Sequence, residues 1–348
     1  MNQTLNGIRR ILITILVAMG VGALFIVAIG ENPIDAYAAL FRGAFDGELR
    51  LGTTLAGFTP LLLTSIAFAV AAKAGAFNVG VEGEVFLGGI TAAYIGINWT
   101  FLPKPALYVA CFVGAMVVAA AWAFIPAVLR AYYNVNEVCT TILMNTVALY
   151  ITSYLVSGPM SAGTANAQSL PVTVRLYQFM KPSSVNVGIF IAAITVIVII
   201  FMLQKSSWGY KIRTVGLNPT HADYVGIDSK KVFIGAMMLS GMLGGMAGCI
   251  EVLGVHGYFL NNFATGLGSN GMLAALIVKN NMVSTPFMAF FLAVLKSGAM
   301  GMQQSTGVPK SLVDTITAVF IIIATMETAF QFAKKRKKKT EDKKEDKA

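Results

Sequence analysis

Apolar residues run along this chain in long blocks, without the strict alternation of a half-buried strand or the polar stripe of a soluble amphipathic helix. Charge-poor blocks close to the ~20 residues that carry a helix across a bilayer lie at 11–30, 51–72, 85–103, 105–129, 138–157, 182–204, 232–250, 267–279, 282–300 and 311–333. They predict an all-α polytopic membrane protein with about ten transmembrane helices. The block at 267–279 is short, and a re-entrant segment would have the same pattern. The first block follows Arg9 and Arg10 but is longer than the ~7–15 residues of a secretory h-region, so it reads as a retained span.

Composition supports lipid as the solvent. Of 348 residues, 56% are hydrophobic and only 12% charged, about half the charged share of a soluble domain. The net charge of +10 does not imply nucleic acid: residues 334–348 hold nine Lys/Arg against four Asp/Glu. Such a basic tail beside a final span marks a cytoplasmic end. Ten spans with the N-terminus inside place nineteen Lys/Arg in the cytoplasm and six outside, so both termini are expected to be cytoplasmic. The organisation expected is a transmembrane domain over 1–333 and a disordered basic tail over 334–348. Cys111, Cys139 and Cys249 lie in apolar stretches, fit neither a disulfide framework nor a zinc site, and are read as packing residues.

Three connections are long. Residues 31–50 and 158–185 are expected outside, and 204–231 inside. The last contains Asn218-Pro219, a turn initiator, and a helical stretch from Thr220 to Tyr224 too short to span. A short ordered helix on that face suggests a partner-docking element. Two Gly-rich interruptions, 75–89 and 254–271, follow hydrophobic spans in the two halves, the pattern of an inverted repeat with a path between its halves.

Few residues carry chemistry. There is no phosphate-cradling GxxxxGK[ST], and the GxGxxG match at Gly266–Gly271 lacks the flanking strand that a dinucleotide site needs. Neither a cofactor nor a metal is expected, and no catalytic arrangement is present. Ser240, Gly241, Gly244, Gly245 and Gly248 form a close-packing helix face. Glu137, Thr141, Asn145 and Thr152 share one face of the fifth span, which serves either interhelical hydrogen bonding or a translocation path. Glu251, Lys296 and Asp314 fall within spans, where an ion pair of Lys296 with either acid would make them tolerable. His256 and His221 are too separate for a metal site or a triad.

The motifs resemble the permease subunits of bacterial ABC importers for nucleosides and simple sugars, in the branch served by basic-membrane-protein-type binding lipoproteins. The resemblance rests on Asn32-Pro33, Ala36-Tyr37 and Gly43-Ala44-Phe45; on Phe77-Asn78-Val79-Gly80-Val81-Glu82-Gly83-Glu84; and on Asn136-Glu137-Val138 with Met144-Asn145. It continues through Arg213-Thr214-Val215-Gly216-Leu217-Asn218-Pro219 with Gly226-Ile227, Glu251-Val252-Leu253-Gly254-Val255-His256-Gly257, and Met302-Gln303 with Thr306-Gly307-Val308-Pro309. Two departures are Glu84 where the family usually has Gln and Asn270 where it usually has Asp.

The resemblance implies ATP-driven import. Cytoplasmic ABC ATPase subunits would dock at Arg213, Gly216, Leu217, Asn218, Pro219 and Gly226. A second permease, identical or different, would complete the path, and an extracytoplasmic lipoprotein would deliver a nucleoside or sugar. Path candidates are Asn78, Glu82, Glu137, Thr141, Asn145, His256 and Asn270. The alternatives are a ribose- or galactose-type sugar permease and an ion-coupled secondary transporter. The latter would place acids near the midplane, whereas the span-embedded charges here lie toward span ends.

Overall fold

The computed structural model describes residues 19–309, 311–315 and 318. Arg9, Arg10, Lys310, the first part of the first expected span, most of the last and the basic tail lie outside the described residues. The described residues are helical, with no strand among them and three isolated bridges, Ser161 with Ser169, Gln168 with Leu260 and Gln178 with Asn186. Among the described residues, six helices are long and apolar enough to cross a membrane, or seven if one sharply bent pair counts as a span.

The chain divides into two compact units, one of residues 45–294 and one of the two terminal portions. In the terminal unit, α1 (Met19–Ile29) is followed after a 114° bend by α2 (Pro33–Phe45). Residues 31–50, expected as a loop, are therefore mostly helix. Gly30 turns the chain at φ +93°, the Asn32 side chain accepts from Ile34 N at 3.0 Å, and Pro33 stands in the first turn, where its missing N–H costs nothing. Ala36 and Leu40 pack with Ile26, Ala299, Met302, Val308, Leu312 and Val313.

The larger unit contains α3 (Gly47–Lys73), α4 (Val81–Asn98), α5 (Lys104–Tyr133), α6 (Glu137–Ser157), α7 (Gly188–Lys205), α8 (Ser207–Leu217), α9 (Pro219–Tyr224), α10 (Ser229–Ile250) and α11 (Leu267–Ile277). A π-helical turn, Glu251–His256, continues α10, and α12 (Thr285–Thr306) leads out of the unit. The small-residue face of α10 sits at its centre. A Cβ at Gly241 would lie 2.6 Å from the Ala119 carbonyl oxygen, while one at Gly245 would collide with that of Ala115 and one at Gly248 with that of Val85. These approaches make α10 antiparallel to α5 and parallel to α4. They are the close backbone contacts that small residues permit in lipid, where dispersion rather than water drives association.

The polar stripe of α6 faces inward as expected. Glu137, Thr141, Ala148, Thr152 and Val156 are buried and Asn145 is half-buried, while Leu143, Tyr150 and Tyr154 are about two-thirds exposed at 67%, 69% and 70%. Cys111 and Cys249 are buried, but Cys139 on the outer face of α6 is exposed and packs nothing away. Lys73, Arg130, Lys205, Lys211, Arg213, Lys230 and Lys231 gather at one end of the unit, where Gly216 touches Lys73 and Lys230 lies 4.9 Å over the Tyr132 ring. Lys104, Arg175 and Lys181 belong to the other end, where the Tyr108 hydroxyl donates to the Arg175 carbonyl at 2.6 Å.

Candidate functional site

The connection from α3 to α4 carries the densest polar structure. Helix α4 begins at Val81, so Glu82 and Glu84 stand in its first turn, four residues earlier than the apolar block starts; acids there complement the positive end of the helix dipole. Asn78, 1% exposed, donates from Nδ2 to Glu84 Oε1 at 2.8 Å and to Ser240 Oγ of α10 at 2.9 Å, and its Oδ1 accepts from Gly80 N at 2.9 Å. From α6, Asn145 Oδ1 accepts from Gly83 N at 2.8 Å and Nδ2 donates to the Val79 carbonyl at 2.9 Å. Glu84 is buried beside Gly244, and its Oε2 has no hydrogen-bond partner among the described residues. Thr141 donates to the Glu137 carbonyl at 2.7 Å, and Glu137 pairs with Arg130 across the α5–α6 turn at 3.2 Å.

The second Gly-rich interruption meets the first. Phe263 packs edge-on against Phe86 and lies over Gly89, and Gly268 faces Glu82. Ser269 Oγ donates to Glu82 Oε2 at 3.2 Å, and Thr64 Oγ1 of α3 donates to the Leu267 carbonyl at 3.2 Å. The chain thus returns as irregular backbone along α4 and becomes helical only beside Glu82. Non-helical backbone of this kind is tolerated at membrane depth when protein covers it. Asn270 Nδ2 donates to the Gly266 carbonyl, within its own helix turn. The GxGxxG match is a helix start, with Gly266 at φ +79° and no strand before it.

Glu251 pairs with His256, Oε2 to Nε2 at 3.7 Å, one π-helical turn apart. Arg175 Nη2 donates to the His256 carbonyl at 3.1 Å, and Gln178 Nε2 donates to the Gly254 carbonyl at 2.8 Å. The contact between Glu251 and His256 is an ion pair only when His256 is protonated. Lys296, half-buried, and Asp314, exposed, belong to the terminal unit.

Residues 204–231 are more ordered than the sequence indicates. The expected helix at 220–224 is α9, and α8 precedes it without having been expected. Its signal was Ser206, whose side chain caps α8 by accepting from Gly209 N at 3.0 Å; Asn218 caps α9 through His221 N at 3.0 Å. Asp228 caps α10 through Lys231 N at 3.0 Å, and that bond holds its carboxyl below the usual carboxylate range. Ile212, Val215 and Ala222 are buried, and Arg213 is half-buried. Leu217 and Tyr224 are exposed by 88% and 86%. Gly216 has its Cα against the chain: a Cβ there would collide with the Lys73 carbonyl oxygen. Pro219 and Gly226 are exposed, and Gly226 turns the chain at φ +82°.

Among the described residues there is no cluster of three or more His, Cys, Asp or Glu that could hold a metal. Residues 50–325 match the family described as branched-chain amino acid transport system / permease component. The chain is 33% identical over 337 residues to the guanosine ABC transporter permease protein NupP of Bacillus subtilis, covering 94% of this chain and 96% of the relative. It is 32% identical to the glucose ABC transporter permease protein TsgB13 of Haloferax volcanii, over 89% and 85% of the two chains. It is 31% identical to the nucleoside ABC transporter permease protein NupB of Lactococcus lactis, over 92% and 91%. No solved structure matches the chain.

Proposed function

Because the chain belongs to the branched-chain amino acid transport system / permease component family and is an integral, multi-pass ABC transporter permease, we propose that it forms one wall of an ATP-driven importer for nucleosides. It is not an enzyme; in such systems a separate subunit hydrolyses ATP. The nucleoside assignment draws on the guanosine and nucleoside permeases among its relatives, each similar over nine-tenths of the chain.

The observation that carries the mechanism is the contact of Gly216 with Lys73. Helix α8 lies against the end of α3, with α9 packed on α8 and α10, and the residues that follow α3, 74–80, lead into the polar knot of Asn78, Glu84, Ser240 and Asn145. ATPase subunits bound to the exposed Leu217 and Tyr224 would displace α8, and the displacement would reach that knot through backbone contact. Differential affinity of the ATPases for the two gate states then biases which way the path opens. The gathering of seven cationic residues at the Lys73 end supports a cytoplasmic position for that end. Glu82, Asn145 and Asn270 stand where the two Gly-rich interruptions meet, with His256 farther along, and this convergence supports reading the meeting point as the path. A second permease and an extracytoplasmic binding lipoprotein complete the assembly.

The glucose permease among the relatives favours one other reading, a sugar importer on the same scaffold. Proteoliposomes holding the permease with its ATPase and binding-protein partners decide between them. ATP-dependent uptake of guanosine, with glucose not accumulated, is the expected result, and an uncoupler should leave it intact when ATP is preserved. Uptake of glucose alone, or collapse with the uncoupler, overturns the proposal.

A further inference from the structure

A cavity of about 340 Å³ opens between the C-terminal halves of α4 and α6, at the end away from Lys73. Thr91, Tyr94 and Asn98 of α4 supply its polar groups, interleaved with Ile90 and Ile97 of the same helix; Leu155 of α6, with Met160 and Leu170 of the connection that follows, adds apolar wall. We propose that this cavity is the entry subsite of the permease and that it takes a neutral, flat, heteroaromatic solute, a nucleoside. The inference rests on the nucleoside reading above and deepens it.

The chemistry of the lining selects the class. No residue lining the cavity is charged, so a nucleotide phosphate or an amino-acid zwitterion would leave its charges unpaired on entry, a cost that a neutral solute avoids. The polar groups supply few but mixed valences. Thr91 gives its proton to the Leu87 carbonyl at 2.7 Å, leaving its oxygen to accept. Asn98 gives one N–H to the Tyr94 carbonyl at 2.9 Å, leaving an N–H and an oxygen. The Tyr94 hydroxyl has no hydrogen-bond partner among the described residues, and the side chain is half exposed. Four polar sites on the α4 wall, with aliphatic carbon between and around them, suit the polar edge and apolar faces of a base. A nucleoside confines its hydroxyls to the ribose and presents an aromatic base, whereas a hexose carries hydroxyls around its whole rim and would leave several facing aliphatic carbon without partners. The ring of Tyr94 offers a stacking surface of the kind that binds bases regardless of sequence.

The cavity wall is also tied to the proposed path. Ser169 N donates to the Phe259 carbonyl at 2.9 Å, Asn261 N donates to the Ala167 carbonyl at 2.9 Å, and Ser153 of α6 donates to the Asn261 side chain at 2.8 Å. The segment thus gripped, 257–266, is the irregular backbone that runs down α4 to Glu82. A solute held against Leu170 and Met160 therefore sits one chain segment from the meeting point of the two Gly-rich interruptions.

The test uses the assembled importer in proteoliposomes, with Leu170→Cys as reporter in a Cys139→Ser background, since Cys111 and Cys249 are buried. A membrane-impermeant methanethiosulfonate should reach Leu170→Cys from the extracytoplasmic side. Guanosine should slow the reaction severalfold; glucose, guanosine monophosphate and leucine should not. In uptake assays Tyr94→Ala should raise the KM for guanosine about tenfold or more, the order set by base–aromatic stacking, with maximal velocity little changed. Tyr94→Phe, which keeps the ring and loses one of the four polar sites, should raise the KM by clearly less than Tyr94→Ala and separates lost stacking from misfolding. If guanosine is imported but neither protects the thiol nor shows a KM dependence on Tyr94, the subsite is overturned and the nucleoside function stands. If glucose protects and guanosine does not, or if the wild type imports no guanosine, the nucleoside reading and this inference fall together.

Discussion

Asn145 grips Gly83 across two helices: its amide oxygen accepts the Gly83 N–H at 2.8 Å while its amide nitrogen holds the Val79 carbonyl at 2.9 Å. One side chain of α6 thus satisfies two backbone groups at the start of α4, where the first N–H groups of a helix have no partner within it. Asn145→Ala should lower thermal stability in detergent by about 1–3 kcal/mol, the cost of leaving such groups unpaired. Asn145→Asp should do nearly as much harm, because a carboxylate accepts from Gly83 but cannot donate to Val79. A melting temperature unchanged in both variants would show that this grip contributes nothing.

Glu84 offers the reverse case. Its Oε1 is held by Asn78, but Oε2 is buried without a hydrogen-bond partner among the described residues. Glu84→Gln keeps the acceptor for Asn78 and cannot carry a buried charge, so stability should be equal to or above wild type. Glu84→Ala, which strands Asn78, should fall below it. A Gln variant markedly less stable than Ala would mean that the carboxylate itself is needed.

Gly248→Ala forces a methyl group into the Val85 carbonyl oxygen, where backbone rather than a mobile side chain must yield. Overpacking of this sort costs about 1–3 kcal/mol, and folded protein recovered in detergent should drop. Gly57→Ala on α3 meets nothing within 4 Å and should gain up to about 1 kcal/mol from helix propensity. Measuring both by thermal denaturation separates packing from propensity; equal stabilities would contradict the close-packed face.

Leu217→Asp and Tyr224→Ala alter side chains that are almost wholly exposed. Each should reduce ATP-driven uptake by an order of magnitude or more while leaving membrane insertion and melting temperature as in wild type. Co-purification with the ATPase subunit provides the direct readout. Gly216→Pro is a poorer probe, because Gly216 packs on Lys73 and its loss disturbs the fold as well as the surface. Full uptake in both surface variants would remove the docking role of α8 and α9.

Most helix positions follow from the chain alone, for one physical reason. Backbone in hydrocarbon has no water to bond, so an apolar block of sufficient length must be helical, and the helices α3, α5, α6, α7, α10 and α12 coincide with such blocks to within a few residues. The inward turn of Glu137, Thr141 and Thr152 is equally legible, since polar groups on a lipid face are costly. Hydropathy fails where the chain departs from a simple span. It reads 31–50 as a loop because Asp35, Arg42 and the flanking charges interrupt the apolar run, yet helical bonding is satisfied through Pro33–Phe45. It leaves α8 unseen because an interfacial helix need be neither long nor apolar.

Partners could come only from the folded chain. Asn78 and Ser240 are 162 residues apart and Asn145 and Gly83 are 62 apart, and nothing local in either segment selects the other. Composition marks 75–89 and 254–271 as interruptions, but their meeting at Glu82 and Ser269 depends on α10 lying parallel to α4, a packing decided by which glycines allow two backbones to touch. Sequence therefore determined that the chain crosses a membrane as helices and which faces turn from lipid; tertiary structure decided which of those faces meet, because close contact is a property of pairs of surfaces and not of either one alone.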